Sequence, residues 1–214
     1  MEKSRQHLSP SGLWNLVHKF LGTKFSHKTK ENAALKPTVL DSLMSCCAVF
    51  SLKFPSLLQF DKKMQESKLQ LNLRQLFHVK KSPSDTTMRE HLDKVDPQEI
   101  RGVFKRIFSE AQRGKLLESY MFFDKHYIIA SDATQHFSSN NVHCDSCCQK
   151  KHINKTTKEE TISYHHNMLC AVIVHPDMRQ VIPLCPEPIT KQDGVDKNDC
   201  EQNASKRLLP DIKR

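Results

Sequence analysis

A chain of 214 residues is long enough to bury one large core or two small ones. Its hydrophobic content of 37 %, net charge of +9, isoelectric point near 9.1 and mean hydropathy of −0.59 exclude a helical membrane protein and favour polyanion partners, above all nucleic acid. No run approaches the ~20 apolar residues of a membrane span, and His18 with Lys19 interrupts Leu13 to Leu21 where a signal peptide would need an apolar stretch.

These exclusions imply a cytoplasmic setting, where thiols stay reduced. The eight cysteines, Cys46, Cys47, Cys144, Cys147, Cys148, Cys170, Cys185 and Cys200, are then read as metal ligands or small hydrophobes before disulfides.

Residues 1–36 carry seven Lys or Arg against Glu2 and Glu31. They read as a basic N-terminal arm, either touching phosphates or poorly ordered, with one amphipathic helix through Leu13, Trp14, Leu16, Val17, Phe20 and Leu21. Residues 37–118 read as a helical region. Pro37 suits a first helical turn, and Val39, Leu40, Leu43, Met44, Cys47 and Phe50 recur at i, i+3, i+4 spacing until Pro55 breaks the helix. Leu57, Leu58 and Phe60 continue the apolar patch into a helix-prone segment from Asp61 to Phe77. Ser84 or Asp85 caps a helix that buries Met88, Leu92 and Val95. Asp96-Pro97-Gln98-Glu99 starts another, whose face is Ile100, Val103, Phe104, Ile107, Phe108 and Ala111, with Gly114 at its end. Two short helices joined by a tight turn suit either a DNA-contacting module or the core of a plain helical bundle.

After Gly114 the period changes. His126 to Asp132 reads as a buried strand that delivers Asp132 to its end, with a loop through Ser138 to Asn141. That carboxylate is either a turn cap or the first ligand of a metal-dependent phosphoryl-transfer site. Met168 to Val174 is a second strand, His175 to Arg179 a turn, and Gln180 to Leu184 a third strand ended by Pro186 and Pro188. Asp193-Gly194 marks a loop, and residues 196–209 are helix-competent. The fold class is α+β or α/β.

The insertion between the first two strands, residues 143–166, concentrates metal-ligand chemistry. Cys144-x2-Cys147-Cys148-x3-His152 opens it and His165-His166 closes it. Zinc takes four N or S ligands in a tetrahedron, and a CxxC turn presents two thiolates. Cys144, Cys147, His152 and His166 form the most economical set, with Cys148, His143 and His165 as alternates. Reduced, unliganded thiols are the competing reading.

Several of these pieces together resemble DDE transposases of bacterial insertion sequences, which carry an RNase H-like catalytic core. The matching stretches are Ser82 to Asp93, Asp132-Ala133-Thr134 with Phe137-Ser138-Ser139, the Cys144/Cys147/His152/His166 insertion, Val181 to Leu184 with Pro186 to Ile189, and Gln192-Asp193-Gly194 leading into Lys197 to Glu201. They run collinearly over about 37–209. The resemblance implies a helical region, 37–118, that binds element ends. It also implies a catalytic region, 119–214, holding the first three strands and first helix of the core. Two Mg2+ or Mn2+ ions would sit between three carboxylates, Asp132 being the first, and drive in-line phosphodiester cleavage and strand transfer on double-stranded DNA. The family acts as a dimer or larger complex, so a homodimer is implied, associated with the nucleoid.

The family's second Asp and its Glu have no counterpart here. Asp193, Asp199, Glu187 and Glu201 do not match their positions. The resemblance is therefore to an N-terminal portion, expected to be a truncated transposase that does not cut DNA by itself and is poorly soluble through an uncovered sheet. A non-catalytic DNA-binding protein with a structural zinc site, and a zinc-binding interaction protein without a DNA role, are the competing readings.

Overall fold

The structure, a computed structural model, describes residues 6–25, 36–64, 66–191 and 198–212. The Asp193-Gly194 loop lies outside them. The chain divides into two compact units, 1–116 and 117–214.

In the first unit six helices follow a 3-10 turn at Gln6–Leu8: α1 (Pro10–Phe25), α2 (Val39–Ser51), α3 (Leu57–Lys63), α4 (Ser67–Leu76), α5 (Asp85–Leu92) and α6 (Pro97–Arg113). Residues 10–25, read above as part of an arm, form a helix whose Val17, Leu21 and Phe25 lie inside the core. The start of α2 is set by Thr38 rather than by Pro37. Thr38 Oγ1 accepts from Asp41 N at 3.0 Å, and Asp41 Oδ2 accepts from Thr38 N at 3.0 Å, a reciprocal capping box. The other carboxylate oxygen of this buried Asp41 accepts from Lys80 N at 2.8 Å, so one side chain caps α2 and pins the segment before α5.

Helix α2 stops at Ser51, short of Pro55, because Lys53 turns left-handed at φ 57° and Phe54 N donates back to Val49 O at 2.9 Å. Ser84 caps α5, and Asp96 caps α6 with Pro97 in its first turn. The apolar stripes meet in one cluster around Phe25, Met44, Phe60, Leu73, Phe77 and Met88, with the Trp14 ring tilted against Phe77, centroids 4.9 Å apart. Cys46 and Cys47 pack against this cluster as small hydrophobes, and burial pushes the Cys47 thiol up to about 11.

The second unit follows a 3-10 turn at Leu116–Tyr120. It is an antiparallel sheet of β1 (Ile128–Ser139), β2 (Cys148–Ile153), β3 (Glu160–Val174), β4 (Ile182–Pro183) and β5 (Glu187–Ile189), closed by helix α7 (Glu201–Ile212). Strand β1 runs along one edge of β3, from Ile128↔Val174 to Ser139↔Tyr164. The other edge is tiled by β2, β5 and β4 in turn.

Alternate residues of β3 face opposite sides. Leu169, Ala171 and Ile173 are buried, and the first two share a core with Ile189, Ala204 and Leu208 under α7. Met168, Cys170 and Val172 face the other side and are only half-buried. The mixed helix-and-sheet class stands as α+β.

Three expectations are corrected here. The first strand is not buried: nearly all of β1 is exposed or half-exposed, because it is an edge strand and α7 covers only one face. It also runs seven residues past Asp132, so Asp132 sits within the strand and not at its end. The polar Thr134, Gln135 and Ser138 remain in the ladder because β3 continues beside them. Finally, the third strand is shorter than Gln180 to Leu184: β4 pairs only at Ile182–Pro183 and ends before Pro186, and Pro188 lies within a further short strand, β5, tolerated because a strand paired on one side has an edge where no N–H is required.

Candidate metal centre

The chain's local folding brings two cysteines and a histidine to one point. Between β1 and β2 a tight turn, Cys147 N to Cys144 O at 3.1 Å, folds the CxxC segment back on itself. Cys144 N also donates to Cys147 Sγ at 3.3 Å. Across the sheet, His166 on β3 places its Nε2 3.3 Å from Cys144 Sγ and 3.2 Å from Cys147 Sγ, and the two sulfurs are 3.7 Å apart.

These separations have a direct meaning. With Zn–S near 2.3 Å and Zn–N near 2.0–2.1 Å, a tetrahedral ion sets its ligands about 3.8 Å apart for S···S and about 3.5 Å apart for S···N. The three observed edges lie within a few tenths of an ångström of one face of that tetrahedron. Among the described residues this is the only group of three or more His, Cys, Asp or Glu side chains whose ligand atoms converge this way. The group could hold a metal ion.

The protonation tendencies fit the ligand chemistry. Burial, then the neighbouring His136 and His165, hold the His166 imidazole below its usual range, which keeps it in the neutral form that binds metals. Burial pushes the Cys147 thiol up, with the N–H of Cys144 pulling it partly back. A bound cation would reverse that rise by stabilising the thiolate. Among the described residues, which include all eight cysteines, no disulfide forms.

No family model, curated protein or solved structure matches the chain.

Of the four expected zinc ligands, Cys144, Cys147 and His166 come together and His152 does not. His152 lies on β2 opposite Thr161, with Nε2 3.0 Å from Ser163 Oγ. It is four residues along an extended strand from Cys148, about 13 Å away. Sequence spacing does not reveal that β2 carries it away from the turn.

The alternates divide as well. Cys148 and His165 are cross-strand partners, so they share the face that α7 covers, opposite to His166. The Cys148 thiol donates to Ile189 O at 3.5 Å. His143 stacks on Tyr164 with ring centroids 4.1 Å apart.

Asp132 pairs with Cys170 and therefore shares the uncovered face with Met168 and Val172. Its Oδ1 accepts from Ala133 N at 2.9 Å. His166 is on the same face but four residues along β3, about 13 Å distant, so Asp132 does not join the Cys/His group. Among the described residues Asp132 belongs to no group of three or more His, Cys, Asp or Glu side chains with converging ligand atoms. A pair of Mg2+ or Mn2+ ions does not fit one exposed carboxylate, and no step through such ions is derived.

Two further groups escaped sequence reasoning. His136 stacks on His166, ring centroids 5.8 Å apart and planes within 16°. Arg207 on α7 donates from Nε to Glu187 Oε1 at 2.6 Å and from Nη2 to Asp199 Oδ2 at 2.7 Å. Beside it, the Asn198 side chain accepts from Gln149 N and donates to Gln149 O, fastening β2 to the start of α7. The spacing Glu187…Asp199…Arg207 carries no period that would announce this clamp.

Proposed function

We propose that this chain is a zinc-stapled DNA-binding protein of the insertion-sequence transposase type, and that these residues do not cut DNA by themselves. The observation that carries the reading is the convergence of Cys144, Cys147 and His166 at tetrahedral spacing, while Asp132 stands exposed and apart from that group. Zinc bound there would fasten the turn before β2 to β3. Its role would be structural, since an ion that ties the turn before β2 to β3 supplies order to a segment with little apolar surface to bury.

What the staple would hold is a ribbon. Strand β1 stops pairing at Tyr164, so residues 160–163 of β3 pair with β2 alone. This two-stranded projection carries the exposed Lys150, Lys151, Lys155 and Lys158, with Lys151 paired to Glu160 at 2.9 Å. A two-stranded ribbon fits the DNA major groove, and the net charge of +9 favours phosphate contact.

Transposase character rests on the collinear sequence pieces and on the order of antiparallel strands followed by a helix packed on one face. The test is duplex binding by fluorescence anisotropy across a salt series. Binding weakens linearly in log salt, and Lys150→Ala with Lys155→Ala and Lys158→Ala flattens the slope by about 0.9 for each phosphate no longer neutralised. Preference for inverted-repeat ends over arbitrary duplex supports the transposase class. Absence of any salt-dependent binding sinks the DNA reading and leaves a zinc-dependent interaction protein. Cleavage of those ends with Mg2+ or Mn2+, abolished by Asp132→Ala, overturns the non-cutting part.

A further inference from the structure

The Cys144, Cys147 and His166 cluster supplies one triangular face of a tetrahedron and leaves its fourth corner to be assigned. The candidates separate by strand geometry. His152 is about 13 Å along β2 from Cys148. Cys148 and His165 face the side that α7 covers. His143 immediately precedes Cys144, and its ring is engaged flat on Tyr164.

One histidine remains, and the sheet is deformed at its position. The β1–β3 register runs regularly to Gln135↔Asn167 and resumes at Phe137↔His166, so His136 is an extra residue without a cross-strand partner. That is a β-bulge, a device that commonly re-aims a side chain beside a site. Here it sets two β1 side chains against one on β3. His136 and Phe137 both lie beside His166, with ring centroids 5.8 and 5.7 Å away. The His136 ring is exposed and lies nearly parallel to that of His166. An exposed imidazole can turn about its two side-chain torsions toward the cluster.

We propose that His136 is the fourth metal ligand, delivered by the β1 bulge, giving a Cys2His2 zinc site of Cys144, Cys147, His166 and His136. This rests on the zinc reading above and replaces His152 in the expected set. The site then ties three parts of the second unit together: the bulged edge strand β1, the CxxC turn and the central strand β3. The bulge explains itself in these terms, since a regular strand would present one side chain, not two, opposite His166.

The experiment uses the full chain purified with zinc, and again with cobalt(II), whose visible absorption reports coordination number and thiolate ligation. The wild type binds one metal ion with the intense bands of a four-coordinate site. Cys147→Ala abolishes binding. His136→Ala, at an exposed position that leaves the fold intact by far-UV circular dichroism, keeps the thiolate-to-cobalt band but loses the four-coordinate intensity. It weakens zinc in chelator competition by at least the roughly tenfold that loss of even an outer-sphere partner costs. His136→Cys, a substitute ligand, restores affinity, and His152→Ala matches wild type.

The failures are distinguishable. If Cys147→Ala binds zinc as the wild type does, the metal reading itself falls. If Cys147→Ala abolishes binding while His136→Ala leaves affinity and spectrum unchanged, the fourth-ligand assignment is overturned and the three-residue site stands. If His143→Ala, and not His136→Ala, shows the spectral change, the ligand is His143 and the proposal is wrong.

Discussion

Replacing Asp41 with alanine removes a side chain that holds two separate pieces of the helical unit. Its Oδ2 accepts from the Thr38 N–H at 3.0 Å and from the Thr38 hydroxyl at 2.7 Å, and its Oδ1 accepts from the Lys80 N–H at 2.8 Å. A hydrogen bond to a charged group contributes about 1.5–3 kcal/mol. Thr38 is half-buried and Lys80 exposed, so water replaces part of what is lost and the lower end of that range applies. Thr38 Oγ1 still accepts from the backbone N–H of residue 41, so the forward half of the cap survives. Two lost backbone bonds and one hydroxyl bond together then cost about 4–5 kcal/mol. Asp41→Asn keeps one acceptor oxygen and loses roughly half as much. Trp14, the chain's one tryptophan, reports from the same core through its contact with Phe77, so urea unfolding followed by its fluorescence reads this unit. A loss below about 1 kcal/mol for Asp41→Ala would refute the reasoning, since water would then serve both N–H groups as well as the carboxylate does.

Three further outcomes follow from other groups. Burial, then His78 and Lys80, hold His18 below its usual value of 6.5, against a smaller opposing pull from Asp41. The unfolded chain therefore takes up the proton first, and stability present above pH 6.5 is lost as the pH falls through the folded value; His18→Gln flattens that slope in urea melts at graded pH. Lys53 adopts a left-handed φ of 57° just after α2, so Lys53→Gly relieves the Cβ crowding and raises stability by about 0.5–1 kcal/mol in the same assay. Arg207→Met leaves Glu187 and Asp199, whose side chains are 4 % and 3 % exposed, without their guanidinium. Because Arg207 itself is 44 % exposed, the cost falls at the low end of a broken buried pair, about 3 kcal/mol, and is read as earlier hydrogen exchange in β5 and α7.

The helices were legible where sequence carries local chemistry. Asp96-Pro97 and Ser84 cap α6 and α5 as their residue types require. The cap of α2 was misplaced because Pro37 suits a first turn so well that it hides Thr38-x2-Asp41, one residue on. Lys53 gave no sign of its left-handed turn, since that conformation is imposed by how the chain must leave α2. In the sheet, apolar content located β3 but misjudged β1. Polar residues after Asp132 resemble a loop when read locally, yet a long partner keeps them extended. The candidate metal site shows the same division. CxxC and His166 are visible as residue types, whereas rejecting His152 requires the direction of β2, and finding His136 requires a register shift between strands about thirty residues apart.

Among the described residues every ladder between the five strands includes β3: it pairs with β1, β2, β4 and β5, and none of those pairs with another. The sheet is thus a hub with spokes rather than a chain of neighbours. Opening β4 exposes one short segment and leaves the rest intact, so its amides exchange through small, independent fluctuations, whereas β5 and β2 are also held by the Arg207–Glu187 and Asn198–Gln149 contacts. Strand β3 has no such local route, because releasing its centre, around Leu169 to Ile173, dissolves several ladders at once. Its central amides then report the global unfolding energy of the unit. A proline placed there removes the whole sheet, while one in β4, which already carries Pro183, removes little.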